Sequence, residues 1–260
     1  MSESNFKSGY SAVNGLNMYY EIYGEGTPLV LIHGGGSTIQ TTYGNIIPLL
    51  AKHRQIIAME LQAHGRTGDR AADLSFEQDA DDVVALLHNL HIAKADFFGY
   101  SNGGHTLIEI ALRHPGVINK MIIASSFYKR SAAPPQFWEG FDYATIDVMP
   151  EALKDGFLKV NNDRQALQNM FEKDVQKMKT FTGWSEEQIM SIKAPALVIN
   201  GNNDVGSIEH AVEMYRTIPC SQLVIVPGKH GTYIGTIEFL DNGKWNQQYI
   251  IDIINGFLNE

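Results

Sequence analysis

Six short apolar runs punctuate this chain, at 28–33 (PLVLIH), 55–60 (QIIAME), 95–100 (ADFFGY), 120–125 (KMIIAS), 196–200 (ALVIN) and 222–227 (QLVIVP). Glycine and proline bound them and longer amphipathic stretches separate them, which is the pattern of buried strands and crossover helices in a mostly parallel sheet. Strands that are apolar on both faces must be covered on both sides, and this restricts the chain to the α/β class. The beginning departs from the rhythm. Segments 10–13 and 16–23 flank Asn14-Gly15, two residues that tolerate the positive φ of a tight hairpin turn, so an antiparallel edge should open an eight-stranded sheet. Helical spacing of apolar residues appears at 76–90, 102–113 and 207–217, with Ser75 and Ser207 as N-caps, and a closing helix is expected at 245–258.

The interval 127–192 has no clear buried strand, contains Pro134-Pro135 and carries amphipathic stretches at 151–160 and 164–179. It reads as a helical lid inserted into one core domain formed by 1–126 and 193–260. The composition permits this: 44% hydrophobic and 19% charged residues are enough to build a core and too apolar for a disordered chain. A formal net charge of -9, with lysines and arginines scattered, disfavours nucleic acid as a partner. The first residues lack the apolar core of a signal peptide and no apolar run approaches bilayer length, so no membrane partner and a cytoplasmic location are expected. Cys220 is the only cysteine, which excludes an internal disulfide and any cysteine-based zinc cluster.

One motif carries chemistry. Gly99-Tyr100-Ser101-Asn102-Gly103 follows the strand ADFFGY and precedes the helical pattern NGGHTLIEIAL. A bare G-x-S-x-G is often only a turn, but strand, tight turn and helix in that order make an elbow that lifts a serine hydroxyl above the sheet edge at a helix N-terminus. A serine needs a base to take its proton and an acid to orient that base. His230, in the loop Pro227-Gly228-Lys229-His230-Gly231 after QLVIVP, is the expected base. His53, His88, His91 and His114 lie near helix ends and His105 inside the helix after the serine, where solvated or capping roles suit them better. Asp204, just beyond ALVIN, is the expected acid, because it gives the chain order serine, acid, histidine. Glu209 is its nearest rival but falls inside the following helix. The glycines of His33-Gly34-Gly35-Gly36 leave backbone free to face an oxyanion, so Gly35 and Asn102 are the expected N–H donors. The run lacks the spacing and the lysine of a phosphate-binding loop. No His-Glu-x-x-His or carboxylate cluster with ligand spacing appears, and neither metal nor cofactor is expected.

On these residues the chain resembles the α/β-hydrolase superfamily over nearly its full length. The resemblance rests on HGGGS after the third strand, ELQAHGRT after the fourth, GYSNGG at the elbow, GNND after the seventh and PGKH after the eighth. Where the family commonly has D-x-x-G-x-G-x-S after the fourth strand, this chain has residues 60–67, ELQAHGRT, in a loop read as mainly structural. The stretch after His230 is longer than the family's usual link to the last helix, so it can shape the pocket. The resemblance implies relatives among carboxylesterases, lactonases, carbon–carbon bond hydrolases and perhydrolases, and the sequence does not choose among them.

The expected activity is hydrolysis of a small or medium, mainly apolar ester through an acyl-enzyme. Aromatic residues are dense in the lid, and Phe137 and Trp138 are the expected pocket lining. A small molecule is the only expected partner, and oligomeric state is open. An acyltransferase or lyase on the same triad, and a slow-turnover ligand receptor on the same fold, are the competing readings.

Overall fold

The computed structural model describes residues 6–240, 245 and 247–260. The strands are β1 (Phe6–Val13), β2 (Leu16–Tyr23), β3 (Pro28–Ile32), β4 (Gln55–Met59), β5 (Ala95–Tyr100), β6 (Ile118–Ala124), β7 (Ala196–Asn203) and β8 (Ser221–Lys229). They form one eight-stranded sheet in the order β1-β2-β4-β3-β5-β6-β7-β8. β1 and β2 are antiparallel and turn at Asn14 and Gly15, both at positive φ; from β4 to β8 all pairings are parallel. Residues 1–5 lie outside the described residues, as do 241–244 and 246, which include part of the expected closing helix.

The helices are α1 (Ile39–Tyr43), α2 (Ile47–Leu50), α3 (Phe76–Asn89), α4 (Asn102–Arg113), α5 (Pro135–Gly140), α6 (Glu151–Val160), α7 (Arg164–Lys179), α8 (Glu186–Met190), α9 (Ile208–Thr217) and α10 (Gln248–Asn259). The Ser75 and Ser207 side chains accept from Gln78 N–H and His210 N–H, capping α3 and α9 as their spacing predicts. Two buried apolar clusters cover the two faces of the sheet. One is built on Val30, Phe97 and Ile123 with α3 and α4, the other on Leu29, Phe98 and Ile122 with α10. Between β6 and β7 the chain runs through α5 to α8, which contribute their own clusters around Trp138 and Phe157. Among the described residues no helix is long and apolar enough to cross a membrane.

Three strands differ from expectation. β1 starts at Phe6, four residues before the expected Tyr10, because it pairs with β2 as far as Tyr23. β8 was read as buried on both faces but is half-exposed along most of its length, because it is the last strand and has a neighbour on one side only. β7 runs past Asn200 to Asn203 and stays paired with β8 through an irregularity between Gly201 and Asn203, so that Asn203 faces Lys229. That extension carries the two strands to the point where Asp204 and His230 follow.

The sharpest packing constraint lies under the elbow. Gly103, in the first turn of α4, sits so close to β3 that a Cβ there would collide with the Ile32 and His33 carbonyl oxygens, and a Cβ on Gly99 would collide with the Gly103 carbonyl. Backbone cannot retreat as a flexible side chain can. Gly103→Ala is therefore expected to destabilise the fold by about 2 kcal/mol or more, read as a fall in the urea unfolding midpoint.

Candidate active site

Four neighbouring strands end around one rim, β7 running four residues past Ile199, the last residue that it pairs with β6. Tyr100 pairs with Ala124, Ala124 with Ile199 and Asn203 with Lys229, so Ser101, Ser125, Asp204 and His230 each leave the sheet just past the last paired residue of β5, β6, β7 and β8. The backbone bonds Ser101 N–H to Ala124 C=O at 2.9 Å and Ser125 N–H to Ile199 C=O at 2.8 Å extend the ladder by one step. Loops at the carboxyl ends of parallel strands are where ligands meet α/β sheets.

Ser101 occupies φ 53, ψ -121, a conformation that costs an L-residue on the order of 1–3 kcal/mol and persists only where its surroundings enforce it. Here β5 on one side and α4 on the other do so. His230 Nε2 lies 3.0 Å from Ser101 Oγ, and His230 Nδ1 lies 2.6 Å from Asp204 Oδ1. The Asp204 side chain is fully buried and accepts further bonds from Val205 N–H at 2.7 Å, Gly201 N–H at 3.1 Å and Ser125 Oγ at 2.6 Å. Burial pushes its carboxyl up, but the bond to His230, that ring's charge and the Ser125 and Gly201 donors outweigh burial and hold it below the usual carboxylate range. An ionised Asp204 accepts the Nδ1 proton, which leaves Nε2 free to accept from the serine.

Sequence reasoning missed two members of this network. Ser125, itself at φ 50, stands between Asp204 and the hydroxyl of Tyr233, 2.6 Å away. Tyr233 is fully buried, and burial pushes its phenol well above the ordinary value, so it keeps its proton. Both belong to loops whose sequence carries no motif. Their polar role is visible only once Asp204 is placed.

The two expected oxyanion donors flank the serine. Asn102 is the first residue of α4, where the helix's own ladder leaves N–H groups unfilled. Gly35 N–H donates to no other described residue, and a Cβ on Gly34 would stand 3.3 Å from the Ser101 Cβ, which brings this loop against the serine.

A family model described as alpha/beta hydrolase fold matches residues 27–149. The enol-lactonase of Burkholderia xenovorans LB400 superposes with a TM-score of 0.76 at 22% identity, over 96% of this chain and all of that one. The chain therefore has the α/β-hydrolase fold. Its relatives include the (E)-2-((N-methylformamido)methylene)succinate hydrolase of Acinetobacter baylyi, 25% identical over 85% of this chain and 86% of that protein. The 2-hydroxy-6-oxo-6-(2'-aminophenyl)hexa-2,4-dienoic acid hydrolase of Metapseudomonas resinovorans is also 25% identical, over 87% and 85%.

A cavity of about 430 Å³ opens over Ser101 and His230. Phe137 lines it, together with Phe127, Phe141, Leu153, Phe171 and Met178. Trp138, expected beside Phe137, does not. Its ring is turned back into the lid, stacked on Phe181 at 5.8 Å and under the Arg130 guanidinium at 4.0 Å, with its indole N–H donated to the Arg130 carbonyl. Adjacent residues of a helix point about 100° apart, so with Phe137 toward the cavity the Trp138 ring turns aside. His105 is neither solvated nor a cap. It is buried against Phe76, Phe127 and Phe181 with centroids 4.8–4.9 Å away, and burial pushes it down to about 3, so it is a neutral part of the aromatic wall.

The loop after β4, read as mainly structural, reaches the site. His64 Nε2 lies 2.9 Å from Asp174 Oδ2 of α7, and the same oxygen accepts from Gly36 N–H at 2.6 Å. Lys177, one turn on, is buried between Asp79 Oδ2 at 3.2 Å and Asp174 Oδ1 at 3.4 Å. His64 Nδ1 faces the Gln62 carbonyl at 2.8 Å, so both ring nitrogens meet acceptors. Burial works against its charge, but Asp174 raises it above the ordinary histidine value. The helix α7 is thereby tied to the loop after β4 and to α3 through buried ionic contacts.

Removing one partner of such a cluster leaves charge buried without compensation. Lys177→Met is expected to lower stability by about 3–5 kcal/mol at neutral pH. The lysine lowers both neighbouring carboxyls, so without it their folded values rise and their protonation relieves the variant as pH falls. Asp174, depressed in the folded protein, contributes stability that is present at neutral pH and fades as pH falls toward its value; Asp79, raised by burial, pulls the other way. The deficit of the variant, from urea unfolding at several pH values, is therefore expected to shrink between neutral pH and about 4.

Proposed function

We propose that this protein is a serine hydrolase that cleaves a small or medium, mainly apolar ester, with Ser101 as nucleophile, His230 as general base and acid, and Asp204 as the group that orients and charges the imidazole. The observation that carries this reading is the continuous relay from Asp204 to His230 to Ser101, at 2.6 and 3.0 Å, beneath an apolar cavity.

In the first half-reaction His230 Nε2 takes the Ser101 proton as Oγ attacks the ester carbonyl carbon. The Gly35 and Asn102 N–H groups receive the developing oxyanion. Collapse of the tetrahedral adduct expels the alcohol, which takes the proton from His230, and leaves Ser101 acylated. In the second half, water loses a proton to His230, attacks the acyl carbon and releases the acid. Ser125 and Tyr233 touch no reacting atom in this scheme; they hold the Asp204 carboxylate in the plane of the imidazole. The lid side chains Phe137, Phe141 and Phe171 support an apolar substrate because a charged group among them would be desolvated without a partner.

With p-nitrophenyl butyrate as substrate, Ser101→Ala is expected to lower kcat by on the order of ten-thousandfold or more, and Asp204→Asn by on the order of a thousandfold to ten-thousandfold. Ser125→Ala, which removes one of four donors to Asp204, is expected to cost only about tenfold. Hydrolysis of this ester by Ser101→Ala at the unsubstituted rate would refute the assignment. A turnover slower than about one per minute across a broad ester panel would favour a ligand receptor instead.

A further inference from the structure

Among the described residues the wall of the cavity over Ser101 carries no lysine or arginine and a single carboxylate, that of Asp174. Its position is specific. Asp174 Oδ2 is 2.6 Å from Gly36 N and would stand 3.2 Å from a Cβ on Gly35, so the carboxylate borders the loop that offers the oxyanion donor. The cations that accompany it are already taken. The Lys177 side chain is 3% exposed and lies between Asp79 and Asp174, and the His64 side chain is 1% exposed with both nitrogens engaged. They pair with Asp174 from behind, Lys177 being shared with Asp79, and among the described residues leave no free cation to bind an anion in front.

We propose that Asp174 is a specificity-determining residue that rejects substrates bearing a carboxylate, so that the site accepts esters uncharged in both their acyl and alcohol parts. This rests on the ester-hydrolase reading above. An entering carboxylate would lose its water, meet no free cation among the described residues of the wall, and approach a carboxylate of its own sign beside the reacting carbonyl. The names of the two relatives above, a succinate hydrolase and a dienoic acid hydrolase, describe acidic substrates. This chain's wall is built for the opposite selection. Sequence inspection does not reveal it, because Asp174 sits within an amphipathic lid helix with several charged neighbours, and only the fold turns it inward.

A matched pair of esters tests the proposal: mono-p-nitrophenyl adipate, with a free carboxylate, and its methyl-capped counterpart of the same acyl length. The unsubstituted protein is expected to prefer the capped ester by on the order of a hundredfold in kcat/KM. Asp174→Asn keeps the size of the side chain and an acceptor for Gly36 N–H, and is expected to narrow that ratio by about tenfold. Any general loss from a disturbed oxyanion loop affects both esters and cancels in the ratio. Val148→Arg supplies a cation at an exposed position of the same wall and is expected to raise kcat/KM for the free acid several-fold relative to the capped ester. A ratio near one in the unsubstituted protein, an unchanged ratio in folded Asp174→Asn, or no gain in Val148→Arg overturns the proposal. Loss of the capped-ester activity altogether, or its persistence in Ser101→Ala, overturns the ester-hydrolase reading instead.

Discussion

The common end point of four parallel strands is the constraint on which the site depends. Parallel strands bring their ends to one rim: β5 and β6 deliver Ser101 and Ser125 side by side, and the longer β7 and β8 carry Asp204 and His230 over them. A slip of one residue in any pairing would move a side chain by about 3.3 Å and turn it to the opposite face. The tolerance of a hydrogen bond is a few tenths of an ångström. The ladder bonds and the two apolar clusters that lock the strands between helices are therefore also what sets the 2.6 and 3.0 Å distances of the relay.

The lid is attached by a different kind of force. Its aromatic cluster packs on Phe76 and Phe127, but its alignment over the rim is fixed by ionic contacts between α7, the loop after β4 and α3. Apolar packing tolerates sliding, whereas a carboxylate that must meet His64, Lys177 and Gly36 N–H together has one place to be. Buried ion pairs are poor sources of net stability, since desolvation cancels most of their attraction. Here their effect is positional. They register α7 against the oxyanion loop and, with it, the cavity against the serine.

How much of this could be read in the chain depends on the range of the interaction. The succession of strands and helices along the chain, the hairpin edge and the N-caps are local patterns, and Ser101 was legible because its strand, turn and helix are contiguous in sequence. His230 and Asp204 were legible because each follows an apolar run directly. The eight-residue extents of β7 and the half-exposure of β8 were not, since a strand's end and its place in the sheet are set by the neighbour it pairs with. His64 and Asp174 are separated by 110 positions, and Ser125 and Tyr233 by 108, so no window of sequence contains either pair. His105 misled for a related reason: a histidine in a helix is polar by type, and its aromatic enclosure comes from three distant segments.

These two kinds of attachment divide the protein's chemistry. The rim residues come from the ends of core strands, where the backbone ladder leaves almost no freedom, and their arrangement suits acyl transfer to any carbonyl that fits. The cavity above them is walled mainly by the segment between β6 and β7, which contributes Phe137, Phe171 and Met178 and can change without disturbing the ladder. Asp174 is the exception, because it belongs to the lid yet bonds to the oxyanion loop. A substitution there changes what the cavity admits and, through Gly36, how firmly the backbone beside the serine is held. One carboxylate thus both borders the cavity and holds the loop beside the serine, which makes that position harder to vary than the aromatic residues around it.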